Sequence, residues 1–263
     1  MNKERIDRLL VQKGLAGSRE KAQALIMEGK VRVEGRRVEK AGTRVAVTAE
    51  VEIVGEALPY VSRGGLKLEG ALRSFQIDPS GWVVMDVGAS TGGFTDCVLQ
   101  RGAAKVYAVD VGYGQLAWKL RNDPRVVVLE KRNIRYLRPQ EVGEAVDLIL
   151  IDTSFISIER FLAHLLDFLK EDGRVLALIK PQFEVGKGEV GKGGVVKDPV
   201  LHQEVTERIA RFSESLGFRV AGLIESPLKG PKGNKEFFIY LKRQEALSEN
   251  GVGLGQADHG KTS

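Results

Sequence analysis

The chain has 263 residues, 43% of them hydrophobic and 29% charged, a balance that excludes whole-chain disorder and allows one large core or two unequal domains. Cys97 is the only cysteine, which excludes a disulfide scaffold and fits a reducing compartment. The 40 basic and 35 acidic side chains give a formal charge of +5, and the excess is local: residues 1–44 carry 12 basic and 6 acidic groups, the other 219 carry 28 and 29. A small basic module facing an anionic partner, joined to a larger neutral domain, is therefore expected.

No apolar signal core follows the first residues, and no apolar run approaches the ~20 residues that a membrane-crossing helix needs. A cytoplasmic protein with no membrane partner is expected, with a monomer as the simplest state. Residues 244–263 are polar and Gly-rich and read as a disordered tail.

In chain order, Ile6, Leu9 and Leu10 share one helical face, and Gly14 stops that helix. Ser18 is placed to cap a second helix with Ala22, Leu25 and Ile26 inward, ended by Gly29. Short β-prone pieces follow at Val31-Arg32-Val33, at Val38 and at Val45-Ala46-Val47, with a turn at Glu34-Gly35. The basic residues Arg5, Arg8, Arg19, Lys21, Lys30, Arg32, Arg36 and Arg37 fall mostly on polar positions, where they form a solvated face or an anion-binding one. The run from Arg5-Ile6-Asp7-Arg8-Leu9-Leu10, with Ser18-Arg19-Glu20-Lys21-Ala22 to Glu34-Gly35, resembles the alpha-L RNA-binding fold over about residues 3–50. That resemblance implies Arg and Lys contacts to RNA phosphates, which give affinity and salt dependence but little sequence choice. Domain limits of 1–55 for the module, 56–61 for a linker ending in Pro59-Tyr60-Val61, and 62–243 for the larger domain are expected.

From residue 80 onward, apolar runs at 83–85, 106–109, 126–129, 148–151 and 175–179 alternate with helical stretches. Near-continuous hydrophobic strands are buried on both faces, so the expected class is α/β, a mostly parallel Rossmann-like sheet with helices above and below. The segments 218–224 and 236–241 flank a Gly/Pro/Lys turn and read as a hairpin, which makes one strand antiparallel.

The first strand runs into Asp86-Val87-Gly88-Ala89-Ser90-Thr91-Gly92-Gly93-Phe94. Glycines there allow a tight turn and close backbone approach to a ligand. The position two after Gly88 is Ser90, so the dinucleotide pattern is absent, and Asp-x-Gly-x-x-x-Gly-Gly opening a helix is typical of S-adenosylmethionine sites. Asp110 ends the second strand 24 residues after Asp86, a spacing at which an acidic group accepts hydrogen bonds from ribose hydroxyls. Asn133, after the third strand, is placed either to read an adenine edge or simply to make a turn.

Asp152 follows the fourth strand and Lys180 the fifth, Glu236 opens the antiparallel strand, and Lys67 lies on the helix after Ser62-Arg63-Gly64-Gly65. All four arrive at one edge of the sheet. Lysine is almost never buried without a partner, so these groups either tie strand ends or form two carboxylate-oriented amines, one acting as base and one stabilising developing alkoxide; spacing alone does not say which is which. Together they resemble the Lys-Asp-Lys-Glu tetrad of FtsJ-type ribose 2′-O-methyltransferases. With the amino-terminal module and Val61-Ser62-Arg63-Gly64-Gly65-Leu66-Lys67 between, the chain resembles the TlyA (haemolysin A) family over about residues 3–243. The resemblance implies S-adenosylmethionine-dependent methylation of the ribose 2′-hydroxyl of cytidine in rRNA within ribosomal subunits, a small α+β RNA-binding domain, and no metal. Two rival readings are a membrane-active haemolysin and a non-catalytic RNA-binding ribosome-assembly factor. The Gly/Lys-rich segment 184–198 and the turn with Lys229, Lys232 and Lys235 are either RNA contacts or mobile surface. His164, His202 and His259 show no metal-ligand spacing.

Overall fold

A computed structural model describes residues 2–27, 29–54, 58–186 and 188–244; the expected tail beyond Gln244, His259 and the start of the linker lie outside them. The module opens with β1 (Lys3–Arg5) and α1 (Ile6–Gln12), continues through α2 (Arg19–Met27), β2 (Val31–Val33), β3 (Arg36–Arg37), β4 (Arg44–Ala46) and β5 (Val51–Ile53), and forms two small sheets, β1-β4 and β3-β2-β5. Ile6, Leu9, Leu10, Ala22, Ile26 and Val31 fill its core. Ser18 Oγ accepts from Lys21 N at 3.2 Å, the cap expected before α2. β1 was not legible: Lys-Glu-Arg has no apolar alternation and becomes a strand only by pairing with β4.

The larger part follows with α3 (Arg63–Ser74), β6 (Val83–Val87), α4 (Gly93–Gln100), β7 (Lys105–Asp110), α5 (Trp118–Arg121), β8 (Val126–Glu130), α6 (Pro139–Val142), β9 (Val146–Ile151), β10 (Leu169–Ile179), α7 (Pro181–Glu184), α8 (Pro199–Ser215), β11 (Phe218–Glu225) and β12 (Phe237–Arg243). Seven strands form one sheet in the order β11-β12-β10-β9-β6-β7-β8. The pairs β6–β7, β7–β8, β6–β9 and β9–β10 are parallel, and β12 runs antiparallel to both its neighbours. Alternation along one strand explains the continuous hydrophobic runs: Ile149 and Ile151 enter one core with Phe161, Phe168 and Ile209, whereas Leu148 and Leu150 enter the other with Leu68, Leu72 and Phe238. β10 begins at Leu169, six residues before the expected start, because polar Lys170 to Gly173 hides its first half; the register shifts between Leu169 and Arg174.

β7 and β8 extend the sheet to one side of β6, and β9 and β10 to the other. The crevice beyond the carboxyl ends of β6 and β9 is thus the switch point where such sheets hold ligands.

Candidate active site

Four side chains separated widely in sequence meet at this edge as two ion pairs. Lys67 Nζ donates to Glu236 Oε2 at 2.6 Å. Lys180 Nζ lies 2.7 Å from Asp152 Oδ1 and also donates to Ser154 Oγ at 3.0 Å. The sheet explains the convergence. Asp152 is one residue past β9 and Lys180 one past β10, held extended before Pro181. The Ile179–Phe237 pair puts Glu236 one step further along the same register. The turn before β12 closes on it through Gly230, where any Cβ would run into the Glu236 carboxylate. Glu236 is 1% exposed, and Lys67 and Lys180 are each 9% exposed. Removing one member of so buried a pair strands the other, a loss of about 3–5 kcal/mol.

A cavity of about 620 Å³ opens beside them, lined by Lys67 of one pair and Asp152 of the other, with Ser62, Gly64, Asp86 and Lys229. Gly88, Ala89, Ser90, Thr91, Gly93 and Phe94 also line it, so most of the glycine turn lies where it was expected. Its shape is forced: Gly88 has φ +86°, and a Cβ there would sit 2.9 Å from Asp152 O. A Cβ on Gly93 would press on Ser62 Oγ and lie 2.9 Å from Gly65 N, so the amino-terminal ends of α3 and α4 meet at the cavity, which makes that wall favourable to an anion.

Asp86 is fully buried. Thr95 donates to its Oδ2 twice, from N at 3.0 Å and from Oγ1 at 2.6 Å, while Oδ1 has no partner. Burial pushes its pKa up to about 7; the Thr95 hydrogen bonds oppose this, and the charge of Asp152 adds to it. A buried, unpaired carboxylate oxygen at a cavity is half of a site for a cation.

Three expected cofactor residues, Gly92, Asp110 and Asn133, are not among those that line the cavity. Gly92, at φ +96°, backs onto Leu116 and Leu120 rather than the cavity. Asp110 accepts from Ser90 N at 2.8 Å and Gly112 N at 2.7 Å, so it props the turn from behind as well as standing at the end of β7. Asn133 caps a short 3-10 turn by accepting from Arg135 N at 3.1 Å, the turn alternative left open by the sequence.

In the module, Asp7 is fully buried and binds Arg5 through Oδ1 at 3.0 Å and Arg19 through Oδ2 at 2.9 Å. Those guanidiniums hold its carboxyl well below the usual range. Arg8, Lys21, Arg32 and Arg36 are exposed. Arg32 stands directly opposite Arg37 across β2–β3 and opposite Glu52 across β2–β5, while Arg37 pairs with Glu39 at 4.0 Å and lines the cavity. Of the hairpin lysines, Lys232 donates to Gly193 O at 2.8 Å and Lys235 pairs with Glu225 at 3.1 Å, whereas Lys229 lines the cavity. His164 and His202 bond to the carbonyls of Leu137 and Val196.

Ser154 and Phe155 escaped sequence reading. Phe155 is 89% exposed with φ +66°, a strained backbone for a phenylalanine. Nothing in Asp-Thr-Ser-Phe announces that geometry; it emerges only when the loop is seen against Lys180.

A parallel sheet with one reversed strand, a glycine turn opening a helix and paired lysines and carboxylates define a class, and comparison agrees: residues 60–243 match the FtsJ-like methyltransferase family and residues 4–51 the S4 domain. The 16S/23S rRNA (cytidine-2′-O)-methyltransferase TlyA of Mycobacterium tuberculosis is 48% identical over 256 residues, 97% of this chain and 96% of that protein. Hemolysin A of Brachyspira hyodysenteriae is 39% identical over 90% of this chain and 99% of its own. A solved structure from Streptococcus thermophilus that carries a hemolysin name is 44% identical, covers 94% of this chain and 90% of that one, and superposes with a TM-score of 0.73. The chain belongs to the TlyA family of FtsJ-like methyltransferases. Among the described residues no helix is long and apolar enough to cross a membrane.

Proposed function

We propose that the protein transfers a methyl group from S-adenosylmethionine to the ribose 2′-hydroxyl of a cytidine in rRNA. The observation that carries this reading is the shared cavity: Lys67 and Asp152, one member of each ion pair, line the same hollow as the glycine turn.

The cavity fits the cofactor. Its volume suits a nucleoside-sized ligand. The orphaned Asp86 Oδ1 matches an ammonium, and the joined ends of α3 and α4 match a carboxylate. Asp110, at the end of β7, is the acceptor for ribose hydroxyls. Bound there, the cofactor supplies an already activated methyl group. The protein then has two tasks. The first is to hold the ribose oxygen in line, which supplies up to ~7–11 kcal/mol. The second is to manage the hydroxyl proton, worth about 10²–10⁴-fold. Between them the amines of Lys67 and Lys180 take that proton and balance the charge growing on oxygen, each fixed by its carboxylate. The exposed Phe155 ring, three residues after Asp152 in the chain, offers a face on which the target base stacks.

Arg8, Lys21, Arg32 and Arg36 on the module and Lys229 at the cavity mouth contact the RNA backbone. The substrate is rRNA within ribosomal subunits, reached in the cytoplasm by a monomer. Incubating the protein with labelled S-adenosylmethionine and purified subunits tests the reading: label on a cytidine 2′-oxygen supports it. Lysis of membranes by purified protein that survives Lys180→Ala would instead favour the haemolytic reading.

A further inference from the structure

Beyond the tetrad, we infer that Glu184 is a positioning residue for methyl transfer, locking the loop that carries Asp152, Ser154 and Phe155 against the segment that carries Lys180. The inference rests on the function proposed above.

Two segments leave the sheet side by side, 152–158 from β9 and 180–184 from β10. They are fastened at three points. Next to the sheet, Lys180 holds Asp152 Oδ1 and Ser154 Oγ. In the middle, the rings of Phe155 and Phe183 pack with centroids 4.9 Å apart. At the far end, Glu184 Oε1 accepts from Ile158 N at 3.0 Å. Glu184 is 7% exposed, and burial raises its pKa. It is anchored from behind by α8: Arg208 Nη2 donates to the Glu184 carbonyl at 2.8 Å and lies 3.7 Å from Oε2, while Arg208 Nε donates to Glu159 at 3.1 Å.

A buried carboxylate is a costly way to hold a loop. It is also a specific one, since an apolar side chain would fill the space and leave the Ile158 N–H unbonded. The loop needs such a brace because Phe155 sits in a left-handed conformation, which persists only where the surroundings over-determine it. Glu184 does not line the cavity. Its loss is therefore expected to act on the rate of the chemical step through the Asp152–Lys180 pair, and not on cofactor affinity.

The test is single-turnover transfer from labelled S-adenosylmethionine to ribosomal subunits at saturating concentrations, beside calorimetric cofactor binding, for the wild type, Glu184→Ala, Glu184→Gln and Glu184→Asp. Glu184→Ala is expected to slow transfer roughly tenfold or more, as small misplacements of reacting groups do, with the cofactor dissociation constant little changed. Glu184→Gln keeps an acceptor oxygen for Ile158 N and is expected to restore a near wild-type rate. A folded Glu184→Ala at the wild-type rate overturns the inference, as does Glu184→Gln as slow as Glu184→Ala. If Glu184→Ala does not fold, Glu184→Asp decides: the shorter side chain keeps the charge but falls short of Ile158 N, so slow transfer supports the inference and a wild-type rate overturns it. A wild type that transfers no methyl group contradicts the proposed function itself, a result distinct from any of these.

Discussion

Two buried residues carry the sharpest consequences. Lys180 answers to Asp152, Ser154 and the Asp152 carbonyl. Lys180→Ala is expected to abolish methyl transfer while cofactor binding survives, checked by pairing a transfer assay with calorimetry. Asp86 makes a claim about pH. Its folded pKa of about 7 lies above the ordinary 3.8, so the folded protein holds this proton better than the unfolded chain. The associated stability is fully present at acid pH and falls as pH climbs from about 4 through 7. Asp86→Asn is expected to remove that slope, so denaturant unfolding of the empty protein should favour the variant more at pH 8 than at pH 5. Near pH 7, loading the cofactor's ammonium against Oδ1 should release a proton from wild-type Asp86 and none from the variant, read as a buffer-dependent binding enthalpy. Asp110→Ala should weaken cofactor binding about ten- to hundredfold by titration calorimetry, since a charged acceptor and the support of Ser90 N and Gly112 N go together.

At the scale of elements, the hairpin before β12 divides its lysines between internal bonds, made by Lys232 and Lys235, and the cavity lining, which holds Lys229. Lys229→Glu should weaken rRNA binding and flatten the salt slope by about one, whereas Lys235→Glu, which breaks only an exposed pair with Glu225, should leave that slope nearly unchanged. What was legible in the sequence follows the same division. β6, β7 and β9 announced themselves as apolar runs because both faces are buried, β8 as an apolar run half-buried at the sheet's edge, and Asp152, Lys180 and Glu236 could be placed at one edge because strand ends and one reversed strand fix that edge. The first half of β10, the module's β1 and β5 and the loop from Asp152 to Ile158 were not legible, since their shape comes from partners distant in the chain. The same limit hid the second use of Asp110 and the binding of Arg5 and Arg19 to Asp7.

Over the whole molecule, most of the basic excess lies in the module, of which Arg37 reaches the lining of the cavity. The basic excess sits in the S4 module, where Arg32 faces Arg37 across the strands. The near-neutral domain holds its two site lysines, Lys67 and Lys180, in buried pairs. Binding and reaction should therefore come apart on mutation. Charge reversal of Arg8 and Arg32 together should reduce rRNA affinity and lower the salt slope by about two, while cofactor affinity by calorimetry stays that of the wild type.

The most direct test of the central claim is to map the methylated position after incubating purified ribosomal subunits with labelled S-adenosylmethionine and either wild-type protein or Lys180→Ala. Label on a cytidine ribose 2′-oxygen with the wild type and none with the variant is the expected result. Label on a base, or equal labelling by both proteins, would contradict it.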